Sequence, residues 1–180
     1  MTVNKSILKK ESKRIEEDSL YSAKSHFYAG QIWANVNMWM GGTSALLAAI
    51  AGASAFSKFD NNEVVAGVLS LIVAGVSAVS AFLDPNGRAA QHQRAGNKYT
   101  ALRNDSRIFR DVDVSVLGAK VLAKKINELN DRRNRLNSES PQIPKWAFGK
   151  ARLGIEQGEA DYAVDTKRRS RKKRASSDRP

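Results

Sequence analysis

"VVAGVLSLIVAGVSAVSAFLDP", residues Val64 to Pro85, decides how the rest of the chain is read. Between Glu63 and Asp84 it holds twenty consecutive uncharged positions, Val64 to Leu83. The chain as a whole is hydrophilic, with a mean hydropathy of −0.45 and a net charge of +12. Twenty helical residues rise roughly 30 Å, the thickness of a bilayer's hydrocarbon core. A buried helix of a soluble protein is the rival reading, but such a helix normally keeps one polar stripe towards water. This run has no such stripe and reads as a transmembrane helix. Each of its eleven Val, Leu, Ile and Phe residues favours insertion by roughly 0.3–0.6 kcal/mol near the helix centre.

Upstream, the seven-residue polar segment "SKFDNNE" (Ser57 to Glu63) follows a second uncharged stretch between Lys24 and Lys58. That stretch is weaker. From Trp33 to Phe56 it has seven alanines and three glycines, with Asn35 and Asn37 near its start. Paired with the second run as a hairpin, its polar and backbone groups find partners. The expected fold class is therefore all-α: a two-helix transmembrane hairpin with cytosolic helices from both termini. Its expected parts are an N-terminal cytosolic helix (1–29), a first span (30–57), an outer loop (58–63) and a second span (64–83). A cytosolic helical region (84–166) and a basic disordered tail (167–180) complete it. The N-terminal "MTVNKSILKKESKRIEEDSL" has no apolar core followed by a cleavage site, so the hairpin is expected to be the anchor.

Charge sets the orientation. Residues 1–24 carry six Lys/Arg and four Asp/Glu, the loop carries Lys58 against Asp60 and Glu63, and residues 84–180 carry 23 basic and 12 acidic side chains. Lys and Arg stay on the cytoplasmic side, which puts both termini in the cytoplasm of a multi-pass bacterial inner-membrane protein and the loop outside. Trp33 and Trp39 suit the inner interface, Phe56 and Phe59 the outer one.

After "DPNGR", where Asp84 and Pro85 end one helix and start another, Ala95, Tyr99, Leu102, Ser106 and Phe109 form one face of an amphipathic helix. Arg94, Lys98, Arg103, Arg107 and Arg110 lie off that face, candidates for contact with lipid headgroups or a partner. A break is expected at "DVDVS" (Asp111 to Ser115). Beyond it Leu122, Leu129 and Leu136 recur every seven residues, enough for helix pairing. "PQIPKWAFGKAR" reads as a tight turn docking Trp146 and Phe148 into the core before a last helix ending near Tyr162. The tail "TKRRSRKKRASSDRP" is a like-charge run. Simple solvation is its default role, and membrane-surface or RNA contact of Lys167 to Arg174 is the alternative.

Several classes of chemistry find no support. Cysteine is absent, and nothing near His26 or His92 has metal-ligand spacing. There is no P-loop, nucleophile elbow or paired-carboxylate motif. "GGTSA" at Gly41 to Ala45 resembles a phosphate loop only superficially, since it lacks the Lys and lies inside the first span. No catalytic residue, metal or cofactor is expected.

The small residues are more informative. Gly41, Ala45, Ala49 and Ala53 recur every four residues on the first span, and Ala66, Ser70, Ala74 and Ala78 do so on the second. Small side chains at this spacing let helices approach closely in lipid. The two stripes face each other within one chain, or several hairpins assemble through them, or both. A ring of hairpins has room for a lumen, and Asn35, Asn37, Thr43, Ser54, Ser70 and Ser77 are candidate lining residues. Their hydroxyls can instead bond to their own helix.

The order of parts is similar to that of a known family. A helix enters a two-span hairpin; an amphipathic helix with a central Tyr follows ("AGNKYTALRNDSRIF"), then a charged helix, "PQIPKWAFGKAR" and "LGIEQGEADY". Over about residues 15–165 this resembles the SLATT domain family of bacterial membrane effectors. The resemblance implies association with nucleotide-second-messenger synthetases and related sensors in anti-phage systems. It further implies a pore-forming effector that damages the inner membrane and kills or arrests the infected cell. Membrane lipid, further copies of the chain, and a sensor or nucleotidyltransferase partner or its nucleotide signal are the implied partners. The alternative from the residues is a membrane-anchored adaptor whose basic region recruits nucleic acid or an acidic protein. A soluble helical regulator is the third reading.

Overall fold

A computed structural model describes residues 4–162, and within them every regular element is helical. The basic tail from Lys167 lies outside the described residues. Helix α1 (Lys5–Ala55) is one unbroken rod of 51 residues, about 77 Å long. Asn4 starts it by accepting the Ser6 N–H at 3.0 Å, so an otherwise orphaned donor is satisfied. Its two halves have different chemistry. Up to Gly30 a single face carries Ser12, Ile15, Ser19, Ala23, His26 and Gly30, all buried, with charged residues around it. The charges stop after Lys24, and from Met38 to Ala55 the surface is apolar apart from Thr43, Ser44 and Ser54.

A loop turns the chain into α2 (Asn62–Leu83), with Asn61 in the left-handed conformation that an Asn tolerates. No residue of α2 is buried. Leu71 is 75% exposed and Phe82 88%, while Met38, Trp39 and Leu46 stand equally free on α1. A soluble monomer rarely shows a contiguous apolar patch beyond roughly a few hundred Å². Both helices are long and apolar enough to cross a membrane. The apolar runs of neither form the core of the fold.

The core lies in a separate bundle built from the polar half of α1 with α3 (Pro85–Ile108), α4 (Val114–Val116), α5 (Ala119–Glu139) and α6 (Lys145–Glu156). The face of α3 read from its periodicity is the face that packs: Ala95, Tyr99, Leu102, Ser106 and Phe109 are all buried. They meet Ile15 and Ala23 of α1, with Leu122, Ile126 and Leu136 of α5 closing the cluster. Each fully buried Leu or Ile stabilises the bundle by roughly 1.5–3 kcal/mol. Close approach of α1 to α3 needs small residues. A Cβ on Gly96 would stand 2.7 Å from the Phe27 ring, and one on Gly30 would be 3.3 Å from the Ala89 carbonyl.

Three local expectations are corrected. The break expected at Asp111 to Ser115 is instead a π-helical turn, Phe109–Asp113, running into α4; the interruption comes at Leu117 and Gly118. The wider turn lets Val114 donate to the Phe109 carbonyl and brings both side chains, five apart, to 1% exposure. Trp146 and Phe148 do not dock into the core, being 48% and 46% exposed. The buried face of α6 is Ala147, Ala151 and Gly154, small enough for close backbone packing, and Phe148 only flanks Tyr21 at 6.1 Å. The last helix also stops at Glu156 rather than near Tyr162, in a turn that needs the positive φ of Gly158 (88°).

Leu102→Ala in the bundle is expected to destabilise it by about 2–5 kcal/mol. Leu71→Ala on the exposed face of α2 is expected to change stability by no more than about 0.5 kcal/mol. Thermal unfolding of the full chain in detergent, followed by circular dichroism, compares the two.

Candidate functional site

Apolar hairpin and polar bundle meet at one junction, and Asp84 builds it. Its backbone is left-handed (φ 44°), its N–H closes α2 on the Ser80 carbonyl, and its carboxylate caps α3 by accepting the Gly87 N–H at 3.0 Å. Pro85 fills the first helical position, where no N–H is needed. Gly87 is required because a Cβ there would collide with the Asp84 carboxylate. Arg88 donates to the Leu83 carbonyl at 2.8 Å and lies 4.9 Å from the centre of the Trp33 ring, tying α3 back to α1 where the apolar surface begins.

Within the hairpin the packed seam consists of Met40, Ser44, Leu47, Ala51 and Ser54 on α1 against Ala66, Leu69, Val73, Val76 and Ser80 on α2, the residues with reduced exposure. Their alternating spacing of three and four is that of coiled-coil-like packing. Gly41, Ala45, Ala49 and Ala53 are all exposed, as are Ser70, Ala74 and Ala78; Ala66 alone of the two stripes borders the seam. The expectation that both stripes face each other inside one chain is therefore corrected. Leu and Val side chains alternate with Ala and Ser in the intrachain contact, and the four-residue stripes lie round the helix from it. A Cβ on Gly41 would meet nothing within 4 Å.

The candidate lumen residues divide. Thr43, Asn37, Ser70 and Ser77 are exposed on the hairpin surface, and Asn35 is half-exposed and accepts from Gln31 at 2.9 Å. Ser54 is 7% exposed, inside the seam. The Ser70 hydroxyl donates to the Ala66 carbonyl at 2.8 Å, the back-bonding alternative.

The five cations Arg94, Lys98, Arg103, Arg107 and Arg110, on α3 and the π-helical turn after it, form two sets rather than one. Arg94 and Lys98 line a shallow groove of about 280 Å³ with Glu139, Ser140 and Pro141. Five residues separate Lys98 from Arg103, which turns the helix by about 140°. Arg103 and Arg110 therefore open onto another groove, of about 560 Å³, with Lys13, Glu16, Glu17, Leu20, Tyr21 and Ile155. Arg110 pairs with Glu16 and with Asp111, and the adjacent guanidinium holds the Asp111 carboxyl below the usual range. The Tyr162 ring lies 5.4 Å from the Arg103 guanidinium and 4.8 Å from that of Arg107. The segment leading to Tyr162 is held by Glu159, which accepts from Lys24 at 2.7 Å and from the Tyr28 hydroxyl at 3.2 Å. Sequence spacing carries no signal for these contacts, since 135 and 131 residues separate the partners. Among the described residues, no three His, Asp or Glu side chains are grouped to hold a metal ion.

No curated protein and no solved structure matches the chain. A family model described as "SMODS and SLOG-associating 2TM effector domain family 4" matches residues 8–166, a span that takes in both apolar helices, the junction and the whole bundle. With two helices long and apolar enough to cross a membrane, and a match over most of its length, the chain belongs to the SLATT family of two-span membrane effectors associated with SMODS and SLOG systems.

Proposed function

We propose that the chain is an oligomeric effector of the bacterial inner membrane that forms or gates a pore and depolarises the cell when infection is sensed. Both termini lie in the cytoplasm in this reading, and the bundle holds the hairpin closed until a trigger arrives. The observation that carries it is the exposure of the small-residue stripes. Gly41, Ala45 and Ala49, with Ala74 and Ala78, are left open by the hairpin's own seam. In lipid no hydrophobic force drives helices together, so close packing of small surfaces is what remains to drive assembly. A single hairpin encloses no lumen; a ring of hairpins does. Thr43, Ser70, Ser77 and Asn37 supply the polar groups of such a wall.

The trigger acts through the bundle, since a ligand shifts a two-state equilibrium only by binding one state better. The groove of Arg103 and Arg110 is the surface we assign to the sensor partner or its nucleotide signal. Guanidinium groups suit phosphate and carboxylate recognition.

Induced expression is expected to depolarise cells, read with a potential-sensitive dye. Gly41→Leu and Ala74→Leu are expected to abolish the signal while the protein still fractionates with membranes. Added side chains at these positions meet open space within the chain, so loss of activity reports a contact outside it. Undiminished depolarisation by both variants would count against assembly through these faces.

The adaptor reading is favoured by the same basic groove and by the excess of Lys and Arg after residue 84. Binding of RNA or DNA that weakens steeply with salt, with an unchanged membrane potential, would select it. Topology has its own check: a tag inserted beside Asn61 is expected to be reached by a membrane-impermeant reagent from the periplasm.

A further inference from the structure

His26 and His92 are the only histidines of the chain. They face each other across α1 and α3, Nδ1 to Nδ1 at 2.9 Å, 1% and 5% exposed. The Tyr99 ring stacks on His26 with centroids 5.5 Å apart, and its hydroxyl donates to Asn137 of α5 at 2.8 Å. One turn along α1, Gly30 marks the point where the helices press together: a Cβ there would be 3.4 Å from the Cβ of His92. The pair thus lies just below the junction formed by Trp33, Asp84 and Arg88.

An Nδ1-to-Nδ1 hydrogen bond requires opposite tautomers, one ring donating and the other accepting. With both rings neutral it is satisfied. A first proton, added at Nε2 of the donor ring, keeps the bond but buries a charge. A second puts two N–H groups face to face and breaks it. The charged side chains nearby are engaged elsewhere: Lys24 holds Glu159, Arg88 covers Trp33, and Lys150 lies over Tyr28. A protonated His92 acts against a charge on His26.

We propose that His26 and His92 form a proton-sensitive latch that clamps α1 to α3 at the base of the hairpin and releases when both rings are protonated. Burial, and then the neighbouring His92, lower the His26 pKa to about 4; burial also lowers that of His92. Depressed histidine pKa values mean that the proton binds better to the released form. The latch is therefore fully closed above the ordinary pKa of about 6.5 and loses stability as the pH falls from there towards 4. His26 alone shifts the ratio of released to latched forms about tenfold by pH 5.5. The consequence for conductance rests on the pore reading above: protons entering through an open pore would promote further opening. The latch itself does not need that reading.

The test uses the full chain in lipid nanodiscs with ¹⁵N-labelled histidine, whose spectrum contains these two rings only. At pH 7.5 the rings are expected to be neutral and of opposite tautomer, and neither is expected to titrate with a midpoint near 6.5. Deuterium exchange in residues 24–32 and 86–96, corrected for the intrinsic rate, is expected to accelerate about tenfold or more at pH 5.5. In His26→Gln/His92→Gln that acceleration is expected to vanish. An ordinary titration of either ring, or exchange in the parent chain unchanged between pH 7.5 and 5.5, would overturn the latch. Equal acceleration in the double variant would overturn it as well, and the ring titration decides the matter if that variant does not fold. Dye release from liposomes under the same acid step separates the two proposals. Release of the latch without leakage would sink the pore and leave the latch standing.

Discussion

A helix with satisfied backbone hydrogen bonds and no side chain buried within its own chain needs a solvent other than water. That is the condition of α2, and it governs the rest of the molecule. Lipid meets the condition at no cost, because an α-helix satisfies its backbone internally. The interior of the fold is consequently displaced from the hydrophobic centre of the sequence to a hydrophilic part of it. Ile15, Leu102, Phe109 and Leu122 make the core, while the long apolar runs make a surface.

Continuity between the two regions follows from helix geometry. Helix α1 passes from bundle to hairpin without interruption, and α2 and α3 are separated by the single left-handed residue Asp84. A displacement of α1 against α3 in the bundle is thereby carried to the apolar helices as a rigid-body change rather than lost in a flexible linker. Gly30, Gly96 and the imidazole pair all lie on this contact, where two rods are held closer than ordinary side chains would permit. Gly87 serves the same end differently, clearing the space in which the Asp84 carboxylate caps α3.

Polar groups in the bundle show a division of labour. Ser12 donates across the helix contact to the Ser106 carbonyl at 2.6 Å, a buried bond that fixes the register of α1 on α3. The ion pairs Lys125–Asp113 and Arg133–Asp18 sit nearer the surface, where such pairs contribute roughly 0–1 kcal/mol. The guanidinium groups of Arg103 and Arg107 stack on Tyr162, and Arg103 also lines an open groove.

Much was determined by the sequence alone, because it was written in local contrast. An uncharged run of fixed length, the asymmetry of Lys and Arg around it, and the period of Ala95, Tyr99, Leu102, Ser106 and Phe109 each report which surface avoids water. Where contrast vanished, so did legibility. In α2 every face is apolar, so periodicity could not tell the seam of Leu69, Val73 and Val76 from the stripe of Ser70, Ala74 and Ala78; only the contact with α1 separates them. The aromatic residues Trp146 and Phe148 looked like core, yet Ala147 and Ala151 won the buried face because small residues bring α6 closer to α1. The cations of α3 read as one group until a five-residue step placed them on opposite flanks. The meeting of His26 with His92, 66 positions apart, depended on how two helices are registered against each other, and no pattern along a single strand of sequence encodes that.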